Sequence, residues 1–160
     1  MTEKTYVVGE LADVAEVFKE QGIPSCEGLD LESANIWILP TFRWGRLSFE
    51  GPTVEAVKLG TQPGLRVRML TEEPKPRFLI QKSADLLLPP LLVFLHGAQQ
   101  VPWSMLANYL TSLLTLYREA PQVRSRIYLK TAEKVLKFDY EGPASGLVPA
   151  LREVRRIHDA

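Results

Sequence analysis

Little in this chain of 160 residues offers sulfur or imidazole chemistry: Cys26 is the only cysteine, and His96 and His158 are the only histidines. A lone cysteine rules out a disulfide within the chain and fits a reducing compartment, so a cytoplasmic location is expected. The two histidines lie too far apart to write a local zinc site. The glycines are no richer in meaning. Gly9, Gly60 and Gly64 have neither the phosphate-loop nor the dinucleotide-binding spacing, and Gly142, Ser145 and Gly146 do not make a nucleophile elbow. An excess of either charge is missing as well, since nineteen basic side chains balance nineteen acidic ones, which argues against a dedicated nucleic-acid binder. Long apolar runs are also lacking. Leu86–Leu95 spans ten residues with Pro89 and Pro90 inside it, and a membrane crossing needs about twenty. The N-terminus offers only Tyr6, Val7 and Val8 before charge returns, so no secretory leader is expected.

What is present is the composition of an ordinary folded domain: 46% hydrophobic and 24% charged residues, in a length that suits one domain over 1–160. The hydrophobic material is densest from Asp85 to Tyr117. Its first part, Leu86–Leu95, reads as a core segment closed by a polar break, with His96 ending a helix. Its second part places Trp103, Leu106, Leu110, Leu113 and Tyr117 at three-four spacing from about Pro102, with Met105, Tyr109, Leu114 and Leu116 beside the seam. That pattern predicts a largely buried central helix.

Thr5–Val8 reads as a short strand. Leu11, Val14, Ala15 and Phe18 then recur at helical spacing, and Gln21-Gly22 supplies a glycine C-cap. Ala34–Leu39 is apolar on both sides and predicts a buried strand ended by Pro40, with Arg43–Phe49 pairing to it across the turn. Thr53–Leu59 fits a helical turn or a strand edge equally. Leu65–Leu70 and Arg77–Gln81 alternate around a proline-bearing turn and predict one hairpin. Residues 122–140 predict another, turning at Thr131–Lys134. Leu147, Leu151, Val154 and His158 share a stripe of a terminal helix, with Pro149 in its first turn. The expected order is strand, helix, several strands, two central helices, hairpin and terminal helix. The expected class is α+β, a largely antiparallel sheet built from hairpins and covered on one face by about four helices.

Two fragments invite a catalytic or metal reading. Cys26 and His96 would make a thiolate–imidazole pair if the fold joined them, and Glu27, Asp30 and Glu32 cluster in a loop. The plainer readings are preferred, namely a structural cysteine, a helix-terminal histidine and a solvated loop. No catalytic residue, metal or cofactor is therefore expected. The cationic residues are more suggestive. Phe42-Arg43-Trp44-Gly45-Arg46 interleaves aromatics with arginines at a turn. If both hairpins share a sheet, Arg66, Arg68, Arg77, Arg126, Lys130 and Lys137 project from its non-core face around Tyr128. These are the candidates for an anionic ligand, although one face of an antiparallel sheet is commonly just wet.

Charge is unevenly placed along the chain. Residues 1–40 hold two basic and eight acidic side chains, and the remainder holds seventeen and eleven. Complementarity of that kind can orient partners or subunits. The C-terminal part, Val101–His158, runs as an apolar helix, a hairpin with a polar turn and a short terminal helix. That layout resembles small accessory domains encoded beside effectors in bacterial conflict systems, and the resemblance implies a partner or subunit role. The expectation is thus a non-enzymatic domain that binds another protein or itself, without a membrane. The alternative is an anionic ligand or nucleic acid bound on the cationic sheet face.

Overall fold

The computed structural model of the protein describes residues 6–24, 30–43, 45–71, 76–79, 86–117 and 122–159, and the side chains of all of these except Arg43 and 157–159. Among the described residues, four α-helices and nine strands make a mostly antiparallel mixed fold. The strands are β1 (Tyr6–Leu11), β2 (Ile36–Ile38), β3 (Thr41–Arg43), β4 (Arg46–Ser48), β5 (Val67–Met69), β6 (Leu86–Leu87), β7 (Leu91–Phe94), β8 (Val123–Lys130) and β9 (Val135–Gly142). The helices are α1 (Val14–Glu20), α2 (Thr53–Leu59), α3 (Trp103–Thr115) and α4 (Leu147–Asp159).

Seven strands form one sheet in the order β1-β9-β8-β7-β2-β5, with β6 also paired to β8, while β3 and β4 form a ribbon of their own. The β8–β9 hairpin is the one expected over 122–140. Two other expected pairings are replaced. β2 pairs with β7 and with β5, not with Arg43–Phe49. β5 runs parallel to β2, and Phe78 bridges Phe49, so 65–70 and 77–81 make no hairpin among the described residues. A strand buried on both faces carries no alternation to mark its neighbour, and long-range packing chooses the partner.

The segment 86–95 is also corrected, from helix to strand. Pro89 and Pro90 remove two backbone donors in succession, which a helix interior does not tolerate. The Leu-Leu-Val-Phe run of β7 is buried at every position, as befits a central strand. His96 accordingly follows a strand and is exposed.

Period-two alternation sends the buried side chains to two separate cores. Ile36, Ile38, Leu91, Val93, Ile127, Leu129, Leu136 and Phe138 face α2, α3 and α4, which contribute Ala56, Leu106, Tyr109, Leu110, Leu113, Leu147, Leu151 and Val154. Trp37, Leu92, Phe94, Tyr128 and Val135 face the other way, onto Val17, Val14 and Phe18 of α1. The helices thus divide three to one between the faces instead of sharing one. The reason is that β2 and β7 are apolar at consecutive positions and require cover on both sides.

The ends of α1 are well specified. Asp13 accepts from the Glu16 amide, and Glu16 accepts from the Ala12 amide. At the other end Gly22 takes a φ of 72°, with Gly22 N–H bonded to Lys19 O and Ile23 N–H to Phe18 O. This is the two-bond glycine cap anticipated at Gln21-Gly22. A Cβ on Gly22 would also sit 2.8 Å from that of Phe42, so the end of α1 is seated against β3.

Candidate functional site

α1 spans only seven residues, so it covers part of its face and leaves the rest open. On the open part lies a cavity of about 460 Å³, lined by Tyr6 and Val7 of β1, Arg124–Arg126 of β8, Asp139–Glu141 of β9, Leu87, Leu88, Pro90, Gln21, Thr41 and Glu50. Its size is in the range of small-ligand pockets.

The prolines shape its floor. β6 pairs with Val123 and Arg124, and β7 with Ile127–Lys130, so three residues, Leu88–Pro90, stand opposite two, Ser125 and Arg126. That extra residue makes a bulge where the imino residues cannot donate to the ladder. The bulge lies at the cavity, as do the polar side chains of Ser125 and Arg126.

Across β8 and β9 the register sets Arg124 opposite Glu141, Arg126 opposite Asp139, and Tyr128 opposite Lys137. Arg126 Nε donates to Asp139 Oδ1 at 2.6 Å, its Nη2 to Oδ2 at 3.5 Å, and its Nη1 to Gln21 Oε1 at 3.3 Å. Burial alone would lower the Arg126 pKa, but the bond and charge of Asp139 with the nearby Tyr128 raise it. The Tyr128 hydroxyl lies 3.0 Å from Glu20 Oε2 and 2.9 Å from Gln21 Oε1, and Lys137 pairs with Glu20. Burial would raise the Glu20 pKa, but bonds from Lys137 and Tyr128 and the charges of Lys137 and Arg126 hold it lowered. Burial pushes the Tyr128 hydroxyl up. Gln21 completes the seal by donating to Pro40 O at 3.3 Å.

Of the cationic face expected from alternation, Arg126 and Lys137 border a second core and are matched from within by Asp139 and Glu20. Lys137, Arg126 and Tyr128 are brought together, but by the acidic end of α1. Tyr128 is fully buried and cannot stack on a base. Arg68 lies 5.4 Å from the Trp37 ring and donates to Ser33 Oγ at 2.5 Å. It stands on β5, three strand spacings or about 14 Å from β8. Arg66 precedes β5, Arg77 adjoins the Phe49–Phe78 bridge, and Arg46 is exposed on β4, so these three are not part of the cavity wall. The Arg43 side chain and Trp44 lie outside the described residues, as do Cys26 and Glu27. Asp30 caps a short 3₁₀ turn by accepting from the Glu32 amide. Among the described residues no cluster of three potential metal ligands occurs, and no helix is long and apolar enough to cross a membrane.

Arg124, Glu141 and Glu50 are among the cavity residues that the linear pattern did not single out. Counting outward from the Thr131–Lys134 turn would have paired Arg124 with Glu141. Nothing local marks Glu50, which is 2% exposed and reaches the site through the β4–α2 connection.

The strand edge beside the cavity completes the site. Among the described residues β1 ends the sheet with six residues, against three for β5 at the other edge. Val7 is 66% exposed, and a Cβ on Gly9 would meet nothing within 4 Å. Comparison with family models, curated proteins and solved structures finds no match to this chain.

Proposed function

We propose that the protein is a non-enzymatic interaction domain, working as an accessory or regulatory subunit, that docks an extended segment of a partner protein on β1. The observation that carries this reading is the edge itself. Exposed sheet edges are usually blunted by proline, lysine or a bulge. β1 has none of these between Tyr6 and Leu11, and its one charge, Glu10, is already paired with Lys134 at 2.7 Å. A strand added there gains main-chain hydrogen bonds along its length, and the side chains it sets beside β1 supply selectivity. Gly9 leaves a bare stretch of backbone on the Val7 side, the kind of gap that an aromatic residue on a neighbouring strand covers. The partner chemistry is accordingly an extended segment with alternate apolar residues and an aromatic one opposite Gly9. Arg126 and Lys137 of the expected cationic face are neutralised by Asp139 and Glu20, which weighs against a nucleic-acid partner, since that depends on unneutralised cations.

Peptide-display selection against the immobilised protein, followed by polarisation titration of the enriched sequences, tests this. The expected winners are extended, alternating segments whose binding is lost in Gly9→Lys, a substitution with ample room and an unchanged melting curve. Light scattering of the protein alone should report a monomer. A dimer that Gly9→Lys dissociates would make a second copy the occupant of the edge, and binders indifferent to that substitution would sink the proposal.

A further inference from the structure

We propose that the cavity on the α1 side of the sheet binds a small monocarboxylate with an apolar body, held by Arg124. This goes beyond strand docking at β1 and does not depend on it. The argument begins with two arginines of unequal standing. Arg124 and Arg126 sit two residues apart on one face of β8, and both line the cavity. Arg126 is committed, because it grips both oxygens of Asp139 and also reaches Gln21. Arg124 holds Glu141 by a contact of 3.1 Å, and the two side chains are 59% and 55% exposed.

An exposed pair of that kind contributes little, because water screens it and both side chains lose freedom in forming it. A guanidinium presents a planar fork that a carboxylate can take with two parallel bonds. An incoming carboxylate can therefore replace Glu141 on Arg124. Leu87, Pro90 and Val7 offer apolar wall for the rest of the molecule, and burying that body supplies the affinity that the charge alone does not.

The charge of the ligand is limited by the same wall. Asp139 and Glu141 also line the cavity, so a second negative charge on the ligand would meet like charge. One carboxylate fits; a phosphate dianion does not.

Calorimetric titration with octanoate, its neutral analogue octanamide, and inorganic phosphate reads this directly. Octanoate should bind, octanamide about tenfold or more weaker, in keeping with the loss of a charged hydrogen bond, and phosphate undetectably. Arg124→Ala should weaken octanoate about tenfold or more by the same reasoning. Glu141→Gln should tighten it, because the resident competitor is gone; a purely structural role for the pair would not produce that gain. Both positions are exposed, and unchanged circular dichroism confirms the fold. Octanoate and octanamide binding equally, no octanoate binding at millimolar concentration, phosphate binding the tighter, or weaker octanoate binding in Glu141→Gln would each overturn the assignment. Strand docking at β1 should ignore Arg124→Ala and respond to Gly9→Lys, so the two proposals fail separately.

Discussion

The two faces of the central sheet each carry a core, yet they are held in different ways. Beneath α2, α3 and α4 the contacts are almost wholly apolar, and the buried hydroxyl of Tyr109 is satisfied by one backbone acceptor, Ala56 O, at 2.7 Å. Beneath α1 an apolar patch around Trp37, Leu92 and Tyr128 grades into a polar chain running from Lys137 through Glu20, Tyr128, Gln21 and Arg126 to Asp139. A dry face depends on volume and tolerates no cavity. A networked face depends on every member being present, since a buried polar group left alone costs more than its bond was worth. The dry face should therefore govern stability, and the networked face the position of α1 and the opening beside it.

The strongest test of that division is Leu110→Ala. Leu110 is fully buried on the dry face, and its truncation should cost about 2–5 kcal/mol in chemical denaturation. A variant of unchanged stability would remove α3 from the centre of the fold. Next in size is Tyr128→Phe, which keeps the ring and deletes the hydroxyl between Glu20 and Gln21. It should cost about 1–2 kcal/mol, with the loss measured by denaturation and α1 showing faster amide exchange than α3. Equal protection of the two helices would erase the distinction between the faces.

Acid offers a subtler probe. Glu20 has a folded pKa below its ordinary 4.5, so its contribution is complete above that value and is lost as pH falls through the lower folded one. Wild type should lose stability over that window more steeply than Glu20→Gln, and parallel curves would show that the carboxylate is not held as described. The smallest effect is expected for Lys134→Ala, which breaks an exposed pair with Glu10 and should change stability by less than about 1 kcal/mol. A larger loss would mean that the end of β1 is tethered through that contact.

The same contrast explains what was legible in the sequence. α1, α3 and α4 are read from local periodicity, because each has one wet side and one dry side, and the β8–β9 hairpin is read from the polar and charged residues that still alternate along it and from its polar turn. β2 and β7 are not, because a strand dry on both sides has no period to read, while β5 alternates around exposed Arg68 but pairs with a strand from a distant part of the chain. The charge split between residues 1–40 and the rest was visible, but not its use. Glu20 meets Lys137 and Tyr128, and Glu10 meets Lys134, so part of the complementarity is consumed within the molecule. Arg126 and Tyr128 were singled out as cations and aromatics on a bare face. What makes the site is instead where α1 stops and where Pro89-Pro90 interrupts the ladder, and neither effect resides in the residues that line it.

The pairing of β1 with β9 also has a consequence in time. Tyr6 lies against Tyr140 and Leu11 against Val135, so β1 leaves the ribosome well before the strand it pairs with. Until β9 emerges, β1 has both of its edges bare, and the slow step of folding should be the arrival of that distant hairpin, because loop closure precedes the contacts that reward it. During that interval the nascent chain offers an apolar, β-prone hexapeptide to any extended neighbour on the same message. A newborn copy therefore has a brief period in which a companion can pair along the edge of β1 that β9 later occupies.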